Sequence, residues 1–267
     1  MDTIIKRTLP RGVIALGVVS LFMDTSSELI HSLLPAFMVS VLGLNILTVG
    51  LIEGVAESTA AITKIFAGVI SDWLGRRKPL VLVGYGLAAL TKPLFPLASG
   101  AAMVFTARFV DRIGKGIRGA PRDALVADLT PEPMRGAAYG LRQSMDTVGA
   151  FVGPALALAF MALLADDISS VLWIAVLPAA VAVAVVVFWV REPETHVPDG
   201  KRSFPLERRQ IGRLGLAFWM IVAFGVVLTM ARFSEAFLLL RAQNVGLSVA
   251  LVPLILIAMN VVYAASA

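Results

Sequence analysis

The chain is a succession of long apolar runs separated by short polar breaks. Eight runs approach or exceed the length of a membrane helix, which needs about 20 mostly apolar residues. They cover residues 13–41, 46–70, 79–97, 101–129, 136–164, 170–190, 214–240 and 248–267. None alternates apolar and polar residues at period two, so helices are predicted rather than the strands of a barrel. The expected fold is an all-α polytopic membrane protein. It is predicted to hold a six-helix bundle over residues 1–191, a polar linker over 192–213, and two helices of an incomplete second bundle over 214–267. The linker contains Pro193, Pro198, Gly200 and Pro205 among many charges, a composition that does not pack.

Composition agrees with this pattern. Of 267 residues, 58% are hydrophobic and only 15% charged, with mean hydropathy +0.86; soluble domains carry about 25% charged residues. The absence of cysteine excludes a disulfide scaffold or a zinc ribbon. His31 and His196 leave no room for a histidine-rich cage, so neither metal nor cofactor is expected. There is no phosphate-binding loop for ATP and no nucleophile set with a histidine and an acid, so the chain does not read as an enzyme.

The net charge of +5 and pI near 9.9 have a membrane explanation rather than a nucleic-acid one. Lys6, Arg7 and Arg11 precede the first run, Arg76, Arg77 and Lys78 follow the second, Arg135 follows the fourth, and Arg191, Lys201, Arg202, Arg208, Arg209 and Arg213 follow the sixth. The alternate connections near 43–45, 99–100 and 166–169 hold no Lys or Arg. Basic loops stay cytoplasmic, which places the N-terminus inside. The first run is long and interrupted by Asp24 and Glu28, so it reads as a retained helix rather than a cleaved leader.

The loop after the second run contains Gly68, Ser71, Asp72, Gly75, Arg76, Arg77 and Lys78. It resembles the signature loop between the second and third helices of the major facilitator superfamily, with Trp73 where the family usually has a basic residue. Two glycines permit a tight turn and close helix approach. On the fifth run, Gly140, Gly149, Gly153 and Pro154 are similar to the antiporter motif of that family's proton-coupled exporters. Ala157 and Leu158 stand where the motif ends in paired glycines, and close packing alone accounts for the glycines equally well. Asp128, Pro131, Arg135 and Gly136 look like the family's junction between helices four and five.

The resemblance implies that Asp72, Arg76 and Asp128, within the basic cluster that includes Arg77, form a charge relay latching the inward side. It implies that Arg108 is the family's fourth-helix arginine. It also implies two six-helix halves. Ser234-Glu235 weakly echoes Ser27-Glu28, and each pair is followed by a Gly-Leu, Gly246-Leu247 and Gly43-Leu44. On this reading the chain holds one half and the start of the other, and another chain could supply the remaining helices. The alternative is a non-transporting membrane fragment or scaffold subunit that needs a partner.

A charge at membrane depth costs about 2.5–3.5 kcal/mol on insertion scales, so it faces an interior or a watery cavity. Asp24, Glu28 and His31 are spaced i, i+4, i+7 and share a helix face. They could carry protons, bind a cation or pair with neighbouring helices. Glu53, Glu57 and Lys64 follow on the second run. The fourth run carries Arg108, Arg112, Lys115, Arg118 and Arg122 in steps of three or four, with Asp111 and Asp123 beside them. Arg142 with Asp146, and Arg232 with Glu235, complete the set. Either these charges neutralise one another between helices, or the stripe lines a path and attracts an anionic solute. The expected function is secondary active transport of a small polar or charged solute. Proton-coupled efflux in a prokaryotic plasma (inner) membrane is favoured, with Asp24, Glu28 and Asp146 as candidate proton carriers.

Overall fold

The computed structural model describes residues 9–192, 214–231 and 234–266, and the regular structure among them is all helical. Lys6, Arg7, Arg232 and the linker expected at 192–213, Glu192 apart, lie outside the described residues. The helices are α1 (Arg11–Ala36, extended by a π turn at Phe37–Val41), α2 (Ile46–Leu74), α3 (Lys78–Thr91, followed by a 3-10 turn at Lys92–Leu94), α4 (Ala101–Leu129), α5 (Arg135–Leu163), α6 (Ile168–Ile174), α7 (Val176–Phe188), α8 (Leu216–Ala231), α9 (Glu235–Asn244) and α10 (Pro253–Ser266). Five helical segments among the described residues are long and apolar enough to cross a membrane: Arg11–Val41, Ile46–Leu74, Glu132–Leu163, Ile168–Phe188 and Val249–Ser266. The chain is a multi-pass membrane protein. α4 is as long as α2 but too densely charged to join that set.

The breaks have local causes. Asn45 caps α2, its side chain accepting the Thr48 N–H at 2.8 Å. Gly75 ends α2 in the left-handed region, φ 63°, where its N–H returns to the Ser71 carbonyl. Pro79 in the first turn of α3 suits a position whose N–H would lack a helical acceptor. The sixth predicted span is divided at Ala175 into α6 and α7. There Ser26 Oγ of α1 donates to the Ala175 carbonyl at 2.7 Å, while the Ala179 N–H reaches the same oxygen at only 3.4 Å. The seventh predicted span is α8 and α9, two helices rather than one.

α1 packs most extensively on α5, and α2 and α3 pack on α4. The buried apolar residues fall into two main clusters at opposite ends of the bundle. One gathers Val13, Leu16, Val19, Val81, Tyr85, Leu125 and Val186. The other gathers Leu33, Phe37, Val49, Phe95, Val104, Met161 and Val171. Between them lies a belt of buried polar residues, including Ser26, Ser27, Glu53, Lys92, Arg108, Asp111, Arg112 and Arg118. The belt thus sits at mid-depth between the apolar clusters, where polar groups of neighbouring helices can satisfy one another.

Candidate functional site

α4 supplies the centre of this belt. Arg108 meets the Glu53 carboxylate of α2 with two nitrogens, its Nε donating at 2.9 Å. Arg112, 1% exposed, pairs with Glu57 at 3.3 Å. Lys92, equally buried, donates to Asp111 at 3.0 Å and to Ser27 at 3.1 Å. Both Arg108 and Arg112 contact His31 Nε2. A guanidinium can only donate, so this nitrogen is the acceptor. The ring is then neutral, with its proton on Nδ1, 3.5 Å from Glu28. This part of the stripe is neutralised by neighbouring helices. Further along α4, Arg118 lies over the Tyr85 ring at 4.6 Å. Arg122 donates to Ser20 at 3.1 Å and lies 3.9 Å from Asp146, which Arg142 holds at 2.6 Å.

Beside the belt is a cavity of about 470 Å³. Asp24 and Glu28 line it from α1, and Glu57 and Lys64 from α2. α4 contributes Lys115, Arg118 and Arg122, α5 contributes Gln143 and Asp146, and α10 contributes Asn260 and Tyr263. Asn260 Nδ2 donates to the Ala150 carbonyl at 2.9 Å, tying α10 to α5 at the rim. Of the residues expected on one face of α1, Asp24 and Glu28 reach the cavity, and His31 turns instead to the arginines of α4. Glu53, Arg108, Asp111 and Arg112 lie behind the cavity wall in the paired belt. Glu235 of α9 is near enough to Glu28 to act on it electrostatically.

The glycines of α5 set how closely α1 approaches. A Cβ at Gly149 would stand 2.5 Å from the Leu21 carbonyl oxygen and 3.1 Å from Asp24 Cβ. One at Gly153 would stand 2.6 Å from the Thr25 oxygen and 3.0 Å from Glu28 Cβ. These glycines hold the backbones together where the two carboxylates leave α1. Gly140 has open space around it. Pro154 is buried beside Gly153.

At the basic end, the structure revises the expected relay. Arg77, rather than Arg76, contacts both Asp72 and Asp128, the latter at 3.3 Å, and also reaches Ser71 at 2.8 Å. The left-handed Gly75 turn reverses the chain, so the second arginine after it, at the N-cap of α3, comes back over the end of α2. Burial opposes the charge of Arg77, but its hydrogen bonds to Asp72 and Asp128 outweigh that and raise its pKa above the usual arginine value. Gly68 lies against α4, where a Cβ would touch Ala120 at 3.3 Å.

Glu192, just past α7, accepts the backbone N–H groups of Arg77 and Lys78. It thereby caps α3 from a position more than a hundred residues later in the sequence. Glu192→Ala is expected to remove about 0.5–2 kcal/mol locally, the range for lost caps. Amide hydrogen exchange at residues 78–82 should accelerate, and unchanged exchange would show that the contact caps nothing.

A family model described as Major Facilitator Superfamily matches residues 15–267. An uncharacterized MFS-type transporter of Methanocaldococcus jannaschii is 31% identical over 240 residues, covering 89% of this chain and 58% of the relative. The multidrug resistance protein MdtH of Proteus mirabilis is 30% identical over 153 residues, or 54% of this chain and 36% of that protein. Among solved structures, a POT family transporter bound to a thioalcohol-conjugated peptide superposes with TM-score 0.64 at 20% identity, covering 91% of this chain and 49% of that one. A bacterial homologue of the human lysosomal transporter Spinster gives TM-score 0.64 at 19% identity over 90% and 56% of the two chains. The chain thus spans 58% of the archaeal relative and about half of each superposed transporter.

Proposed function

The chain belongs to the major facilitator superfamily, and we propose that it serves proton-coupled efflux of a small polar or charged solute across a prokaryotic plasma membrane. Alternating access would rock the six-helix unit of residues 1–191 against the bundle that begins at 214–267, around a site near mid-depth. The observation that carries this reading is the state of Asp24 and Glu28. Both line the cavity. Among the described residues, Asp24 makes no close ion pair, and Glu28 meets only the neutral His31 ring. Glu53, Glu57, Asp111 and Asp146, by contrast, already have arginine or lysine partners. A carboxylate without a fixed counter-charge takes up a proton more readily than one already paired with a cation. Asp146, the third candidate, is held by Arg142 and would carry a proton only if that pair opened.

The multidrug resistance relative supports the outward direction. The Asp72–Arg77–Asp128 cluster supports a latch on the cytoplasmic side, because ion pairs at a helix junction can be exchanged as the bundles move. Gly140, in open space on α5, is free to meet a moving neighbour.

The test uses the protein in proteoliposomes with a lumenal pH dye. Asp24→Asn and Glu28→Gln are expected to abolish solute-linked proton movement while membrane insertion and elution profile stay normal. Proton coupling that survives in both variants would remove the assignment.

A further inference from the structure

We propose that the solute is a zwitterion, with its anionic group held by Lys115 and Lys64 and its cationic group by Asp24 and Glu28; this rests on the transport reading above. The cavity wall carries the acids Asp24, Glu28, Glu57 and Asp146 and the bases Lys64, Lys115, Arg118 and Arg122, so its formal charge balances. Several of these are already committed. Glu57 pairs with Arg112, Asp146 with Arg142, and Arg122 with Asp123. Among the described residues, the groups without an oppositely charged partner are the two α1 carboxylates, the two lysines and Arg118, whose Nη1 is buried without a hydrogen-bond partner.

These uncommitted groups stand on opposite walls. Asp24 and Glu28 leave α1 directly beside Gly149 and Gly153, at the seam with α5. Lys64 lays its stem against α4, where a Cβ at Gly119 would meet Lys64 Cε at 3.4 Å. Gly119 is one helical turn from Lys115, so both ammonium groups belong to the seam of α2 with α4. Lys115 acts electrostatically on Glu28 and Asp24 yet forms no close ion pair with either. The space between the walls therefore separates opposite charges that have not closed on each other. At about 470 Å³ it falls within the range of small-molecule sites.

A solute with one charge would satisfy one wall and leave the other unmatched. A zwitterion satisfies both. Its ammonium would also compete with protons for Asp24 and Glu28, so that taking up a proton releases the solute and the reverse.

Binding is measured on the purified chain in detergent by isothermal titration. The probes are phenylalanine, glycyl-phenylalanine and dansyl-lysine, each with its N-acetyl and its C-terminal amide form. At least one zwitterion is expected to bind, with each capped form about tenfold or more weaker, equal to about 1.4 kcal/mol. Lys115→Gln is expected to erase the preference for the free carboxylate over the amide. Asp24→Asn is expected to erase the preference for the free amine over the acetylated form. Lys115→Arg restores the carboxylate preference, which separates charge recognition from damage to the fold. Capped forms binding as tightly as the zwitterion, or no binding by any probe, would overturn the proposal. Titration requires no proton gradient. A zwitterion that binds without proton-linked flux would remove the coupling and leave this inference standing, and proton-linked flux of a singly charged solute would do the reverse.

Discussion

Arg108→Leu is expected to destabilise the bundle by about 3–5 kcal/mol, the cost of breaking a buried ion pair from one side. Glu53 would lose both of its guanidinium contacts while remaining 8% exposed between α2 and α4. His31 Nε2 would lose one of its two donors. An uncompensated carboxylate at this depth must recruit water or a proton, and either disturbs the packing around it. Thermal unfolding in detergent measures the loss. Arg108→Leu with Glu53→Leu is expected to recover a good part of it, because the second change removes the orphaned charge. A double variant that is no better than the single one would show that Arg108 acts through packing rather than through its pair.

The second large effect concerns the seam of α1 and α5. Gly153→Leu forces a Cβ to within 2.6 Å of the Thr25 carbonyl oxygen and 2.8 Å of the Leu29 nitrogen. These are backbone atoms, so the helices themselves must separate. Overpacking costs about 1–3 kcal/mol even where side chains can shift, and a backbone contact leaves less room for relief. Gly153→Leu and Gly149→Leu are both expected to give aggregated, protease-sensitive protein. Gly140→Leu, on the same helix with no neighbour within 4 Å, is expected to fold normally. The three variants divide one glycine motif into two parts, and equal tolerance at all three positions would contradict the close approach. If Gly140→Leu folds but slows transport, the open face of α5 has a role in motion that the static seam lacks.

Much of the fold was legible because membrane helices announce themselves by length and apolarity. The boundaries of α2, α4 and α5 follow from Asn45, Gly75 and the Pro131 turn, whose effects are local. Spacing along α1 put Asp24 and Glu28 on one face, and both line the cavity. Partner choice was not legible. The stripe on α4 has a regular period, but nothing in the period says that Arg108 takes Glu53, or that His31 turns to arginines instead of the cavity. Those pairings come from the way α1 and α2 pack around α4.

Lys92 could have been found. It is a lone cation inside the third apolar run, beside Pro93, and the rule that flagged the other mid-membrane charges applies to it equally. Arg77 rather than Arg76 meets Asp72 and Asp128 because the geometry of the Gly75 turn, not the residue count, decides which arginine returns over Asp72. Glu192 left no local trace, since the amides it caps are over a hundred positions away in sequence. The division of the sixth span at Ala175 depends on a hydroxyl from α1 and is equally non-local.

The chain has no cysteine of its own, which makes single-cysteine labelling a direct probe of the cavity. Ala61 and Thr147 line it from α2 and α5, while Leu90 is 74% exposed on the outer face of α3. The measurement is reaction of Ala61→Cys, Thr147→Cys and Leu90→Cys with a charged, membrane-impermeant thiol reagent in proteoliposomes. If the charged cavity is a watery path for solute, the first two cysteines react, the third does not, and a bound zwitterion protects the first two. Unreactive cysteines at 61 and 147, in protein that elutes normally, would mean that the belt and cavity form a sealed structural core, and the transport site would have to lie elsewhere.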